Sequence, residues 1–160
     1  MAIDCFVKID GVESEATAKG HEKEIDALSW SWHVHQPSAV GSGVGGMAKG
    51  KAVPGEFVFT HHYDKASPII AKYAFNGKHF PKIVATCAQA GEGQKDFLVI
   101  TMKECMILHC APSGSSGGDV VETVTLGYSE IEFDYKAMDS KGTLGGSVKF
   151  SHNVNTEVTS

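Results

Sequence analysis

Several absences narrow what this chain can do. Its formal charge is −5, from 14 basic and 19 acidic side chains, and no basic run occurs anywhere. A nucleic-acid partner requires a concentrated cationic surface, so that class is excluded. No apolar stretch approaches the ~20 residues of a membrane-spanning helix, so no membrane insertion is expected. The opening residues Met1 to Lys8 hold no cationic segment followed by an apolar run, so no general secretory signal is expected and the chain is read as made in the cytosol. Cysteine is sparse. Cys5, Cys87, Cys105 and Cys110 are scattered through apolar patterns and read as buried free thiols, with no disulfide and no joint metal site. No internal repeat is found, and at 160 residues the chain reads as a single domain, 1–160.

What is present is alternation. From Leu28 to His35, Leu28, Trp30, Trp32 and Val34 point one way and Ser29, Ser31, His33 and His35 the other, which predicts a half-buried strand. Both tryptophans of the chain lie on its apolar face and should anchor the core. Further strands are predicted over 2–9, around Phe57 and Phe59, over 82–88 and 96–110, over 120–135 and over 147–154. Within 96–110 the inward face is read as Leu98, Ile100, Met102, Met106 and Leu108. Within 120–135 the phase slips between Tyr128 and Ile131, which predicts a β-bulge near Ser129. One short helix is predicted, with Ser67 as N-cap, Pro68 in the first turn and Asn76-Gly77 as its end. Between 36 and 55 lies a long glycine-rich loop. The fold class is mainly β: a small antiparallel barrel with one flanking helix and an extended glycine-rich loop.

Motifs with chemical meaning fail on context. Gly41 to Gly46 fits a dinucleotide-binding glycine pattern, and Gly45 to Lys51 fits most of a P-loop, but Ala52 stands where a magnesium-binding hydroxyl belongs. Both motifs need a following helix to hold phosphate, and Pro54-Gly55 and a strand follow instead. His33 and His35 share a strand face at a spacing compatible with metal ligation, which gives one alternative reading: a metal-dependent small-barrel enzyme. No acid follows them until Glu56. Ser115-Ser116-Gly117 sits in a turn and is no hydrolase elbow. No catalytic residue and no cofactor is assigned. Phe6 stands between Asp4 and Lys8 on a polar face, either as a lone exposed aromatic or as an anchor for a neighbouring subunit.

Several segments, in this order, carry a resemblance. They are Lys8-Ile9-Asp10-Gly11, the stretch His21 to Trp32, Asp64-Lys65-Ala66-Ser67-Pro68, Gly77-Lys78-His79 and Ser113 to Gly117. Together they closely resemble the haemolysin-coregulated protein (Hcp) family, from the first residues to about Phe150. The resemblance implies a non-enzymatic β-barrel subunit that closes into homohexameric rings. Stacked rings form the inner tube of the type VI secretion system, which a contractile sheath drives outward behind a spike. It implies a bacterial protein held in the cytoplasm before firing and exported by the system itself, with small effectors carried in the lumen. On that reading Ser29, Ser31 and His33 line the lumen. Val40, Gly41, Gly43, Val44, Gly45, Gly46, Met47, Lys49 and Lys51 form the loop that reaches an adjacent ring. Phe6 becomes a candidate subunit contact. His33 and His35 are not part of the family pattern, and Ser151 to Val154 matches it less well.

Overall fold

Strand β1 (Ile3–Ile9) opens the computed structural model, which describes residues 2–37, 50–91 and 93–160. There follow β2 (Ile25–Ser31), the short β3 (Val34–His35) and β4 (Val53–Pro54), β5 (Phe57–His62), α1 (Ser67–Asn76), β6 (His79–Gln89), β7 (Asp96–Ser113), β8 (Val121–Gly127), β9 (Glu130–Met138) and β10 (Leu144–Asn153). All pairings are antiparallel, in the order β10-β9-β7-β6-β1-β2-β5-β8. A further pairing of β8 with β7 closes β7-β6-β1-β2-β5-β8 into a barrel and leaves β9 and β10 as an extension. Closure removes the free edges of those strands. Strands β3 and β4 form a separate two-stranded ribbon.

The barrel closes because β7 is long and bent. Its first half pairs with β9 from Leu98 to Lys103, and its second half pairs with β8 from Met106 to Ser113. Glu104, between the halves, has φ 50, a backbone state uncommon for a non-glycine residue. The kink changes which side chains point inward. Ile100 and Met102 are buried before it, and Cys105 and Ile107 after it. Met106 and Leu108 are therefore not on the inner face, against the simple alternation. Leu108 is the bulged residue at a register shift against β8, and its side chain lies over Gly127, where any Cβ would sit 2.8 Å from Leu108 Cδ1. The phase slip near Ser129 likewise marks a break between two strands instead of a bulge in one. The chain leaves β8 at Gly127 and restarts as β9 at Glu130, still running along β7, and the Ser129 amide donates to the Lys103 carbonyl across the kink.

The tryptophan strand differs from its predicted form in the same way. It starts at Ile25 and ends at Ser31, and its register against β5 shifts between Ala27 and Ser29. This bulge throws Leu28 outward while Trp30 stays turned to the core. Trp32 packs inward beyond the end of the strand, and Val34 is exposed on the β3–β4 ribbon. The helix is capped as predicted at its end, by Gly77 in the left-handed conformation. At its start the N-cap is Ala66, not Ser67. The Ser67 hydroxyl accepts from the Asp64 amide, and the Asp64 carboxylate accepts from the Ala66 amide, so the preceding turn takes up the polar groups.

Phe6 is not an exposed aromatic. It is 2% exposed, and the His21 ring lies flat on it, with centroids 4.4 Å apart and planes 5° from parallel. The segment 13–24 is held together by hydrogen bonds from the Ser14 amide to the Lys23 carbonyl and from the Lys23 amide to the Ala16 carbonyl, and it lies over the outer side of β1 at Phe6. His21 is then held by Glu24 through Nδ1 and by Asp96 through Nε2, each at 2.9 Å. Burial opposes its protonation, but the bonds and charges of Asp96 and Glu24 outweigh that, and the His21 pKa is raised. A raised native-state pKa makes the imidazolium clamp fully stabilising below about pH 6.5, and that contribution fades as pH climbs through the raised value. Urea unfolding at about pH 6 and about pH 8 should therefore show a larger loss of stability for the parent than for His21→Gln; identical pH profiles would contradict the clamp.

Candidate assembly surface

The residues expected to line a lumen sit on the outside of the barrel, on the wall made by β2, β5 and β8. Ser29 lies opposite Thr60, and Thr60 opposite Thr123. One row further, Ser31 lies opposite Val58, and Val58 opposite Thr125. Cross-strand partners share a face, so these side chains form two adjacent rows without a charged group. Ser29 and Ser31 are exposed, and the Ser29 and Thr60 hydroxyls hydrogen-bond at 2.6 Å. Their exposure is dictated by the strands' other phase. Phe57, Phe59, Val124 and Leu126 are fully buried, and Trp30 stacks on Phe57 with centroids 5.8 Å apart.

His33 lies past the end of β2, and only its position next to Ser31 in the chain keeps it near that wall. It is exposed, its carbonyl accepts from the Gly55 amide at 2.7 Å, and its ring occupies the space above Gly55. A Cβ at Gly55 would fall 2.3 Å from His33 Cε1, so a larger residue there would have to displace the His33 ring. His35 belongs to β3, so the two imidazoles are not neighbours on one continuous strand. Among the described residues, no group of three or more His, Cys, Asp or Glu side chains is arranged to hold a metal. In the glycine-rich loop, Val40, Gly41, Gly43, Val44, Gly45, Gly46, Met47 and Lys49 lie outside the described residues. Lys51 is exposed and ion-pairs with Glu157 of the C-terminal tail.

Sequence reasoning missed one polar group in the same wall. His61 and Glu122 face each other across β5 and β8 inside the barrel, fully buried, with Nε2 and Oε1 2.8 Å apart. His61 Nδ1 lies 3.4 Å from Asp64, which itself accepts from the Ser14 hydroxyl. A signal was available: Glu122 is in phase with Val124 and Leu126, and His61 with Phe57 and Phe59. The arrangement is no nucleophile site, because the Ser14 hydroxyl engages the carboxylate and not the imidazole, and His61 is sealed from solvent. It ties the helix entry and segment 13–24 to the barrel.

A second polar link anchors the end of the tryptophan stretch. Trp32 Nε1 donates to the Tyr128 hydroxyl at 2.7 Å, which donates to the Gly55 carbonyl at 2.6 Å. Trp32 also packs on Phe133, which stacks on Phe150 of β10. Burial raises the Tyr128 pKa, so the phenol stays protonated and able to donate. Tyr128→Phe should cost about 1–2 kcal/mol in denaturant unfolding, because it leaves a buried indole N–H and a carbonyl without partners. A change within a few tenths of a kcal/mol would show that the link carries no weight.

Comparison with known proteins places this architecture. Residues 6–135 match the family described as type VI secretion system effector, Hcp. Protein hcp1 of Pseudomonas aeruginosa is 37% identical over 161 residues, covering 99% of both chains. Among solved structures, Hcp1 from Salmonella typhimurium is 31% identical with a TM-score of 0.82, covering 100% of both chains. A structure described as a type six secretion system protein superposes with a TM-score of 0.93 at 26% identity, over 99% of this chain and 100% of the other. A profile match over most of the chain, a full-length relative and a shared closed barrel lead to one conclusion: the chain belongs to the Hcp family of type VI secretion proteins.

Proposed function

We propose that this chain is the ring-forming subunit of a type VI inner tube, with the β2–β5–β8 wall turned toward the hole. Copies join into a homohexameric ring, rings stack, and the tube leaves the cell through its own system, with sheath and spike as partners. The observation that carries this reading is the wall itself. In a chain with 19 acidic residues, the exposed Ser29 and Ser31 and the half-buried Thr60 beside them bear small hydroxyls and no charge. Such a surface leaves room for a folded effector and offers it hydrogen bonds without strong fixed charge. His33 lies at the rim of that wall.

A closing ring needs a heterologous contact, in which two different patches of one subunit meet. The extension beyond the barrel favours such a contact. Val148 of β10 lies opposite Tyr135 of β9, both are exposed, and β10 ends the sheet order. An apolar pair beside a strand at the sheet's end suits one side of a subunit joint. The glycine-rich stretch from Val40 to Lys51 is assigned to the contact between rings on its sequence, for its glycines adapt to a neighbour and its lysines seek acidic groups. Because Lys51 already pairs with Glu157, its inter-ring bond is an exchange of partners. The chain acts as a carrier and conduit and catalyses no reaction.

Replacing Ser31 by Gln tests the wall. The variant should form rings as the parent does but retain co-expressed effector about tenfold less well on co-purification, the equivalent of about 1.4 kcal/mol. Loss of the ring, or unchanged effector retention, would show that this face does not line the lumen.

A further inference from the structure

Of the four cysteines, two meet. Cys5 of β1 and Cys87 of β6 are directly opposite in the antiparallel register, and their sulfurs are 3.1 Å apart although 82 residues separate them in sequence. Both are free thiols, as are Cys105 and Cys110. Directly opposed residues of an antiparallel pair have Cα atoms about 4.5–5.5 Å apart, inside the range that a disulfide spans without backbone movement. We propose that Cys5 and Cys87 are a redox-modification site: reduced in the cytosol, they form an intramolecular disulfide when the protein meets an oxidising environment.

The surroundings give the two thiols different roles. Cys5 is half-buried and Cys87 almost fully buried, so an oxidant reaches Cys5 first. The Cys87 thiol hydrogen-bonds to Cys5, which lowers the Cys5 pKa to about 7, whereas the same bond and burial push Cys87 upward. Part of Cys5 is therefore thiolate at neutral pH, the nucleophilic form. Cys105 shows the contrast: buried without a thiol partner, its pKa is pushed up to about 12, and it is inert.

The reaction needs a disulfide oxidant, of which oxidised glutathione is the simplest. The Cys5 thiolate attacks one glutathione sulfur, the glutathione S–S bond breaks, and one glutathione thiolate leaves. Cys87, giving up its proton to that thiolate, then attacks the Cys5 sulfur of the mixed disulfide and expels the second glutathione, which takes up the proton lost earlier by Cys5. Two protein thiols become one disulfide, and one glutathione disulfide becomes two thiols. The bond would staple β1 to β6 and close a loop of more than half the chain, a constraint that lowers the entropy of the unfolded state. The inference rests on the strand register and the sulfur separation and stands whether or not the chain forms a tube. For a protein that leaves a reducing compartment, it couples stabilisation to export.

The test equilibrates the purified full-length chain with oxidised glutathione, alkylates free thiols and maps tryptic peptides. Cleavage at lysine separates Cys5 (residues 1–8) from Cys87 (83–95) and from Cys105 with Cys110 (104–136), so the linkage is unambiguous. The expected product joins 1–8 to 83–95, disappears with dithiothreitol, and raises Tm by about 5 °C or more. In Cys87→Ser, Cys5 should instead hold one glutathione. Full alkylation of both Cys5 and Cys87 after equilibration, or a linkage through Cys105 or Cys110, would overturn the assignment.

Discussion

The hydrogen-bonded seam between β7 and β8 is the contact on which the rest of this structure depends. Without it, the strands form an open sheet with two free edges, and the phenylalanines of β5 lose their enclosure. The seam exists because one strand, Asp96–Ser113, is long enough to pair with β9 over its first half and with β8 over its second. The left-handed turn at Glu104 separates these duties and rotates the inward face from Met102 to Cys105. The extension outside the barrel follows from it. The β9–β10 extension grows from the first half of β7, while the second half fixes the position of β8 and so the third strand of the hydroxyl wall.

The alternating patterns carried much of this. The barrel class, the single helix, its glycine end and the inward Phe57 and Phe59 are legible as periodicity and cap chemistry. What failed to read is wherever the phase changes inside an element. Leu28, Leu108 and the Tyr128–Ser129 break each look like continuous alternation or a minor slip, because a one-residue bulge leaves no compositional mark on residues of this type. The burial of Phe6 is hidden for a different reason. Its neighbours Asp4 and Lys8 are polar, yet the connection from β1 to β2 folds back and seals it beneath His21. The buried His61–Glu122 pair was visible in phase but is costly enough, absent a partner, to be discounted until the cross-strand register brings the partner in. Of the candidate site, Ser29 and Ser31 are legible because alternation alone puts them opposite Trp30, whereas the rows they form with Thr60 and Thr123 depend on pairing.

These features give the barrel chemically distinct surfaces. The interior holds aromatic packing and a sealed His61–Glu122 hydrogen bond, which give rigidity. One outer wall is small and uncharged. The opposite end of the sheet presents Tyr135 and Val148 beside the terminal strand. A rigid body with a smooth wall and a separate apolar edge suits repeated assembly around an axis, since rigidity fixes the rotation from one copy to the next. Membership of the Hcp family gives that geometry its setting.

The central claim is that copies of this barrel close around a hole. Negative-stain electron microscopy of the purified protein at high concentration addresses it most directly. The account predicts annular particles with six-fold symmetry and an open centre, some of them stacked. A uniform field of solitary particles of single-subunit size would contradict it.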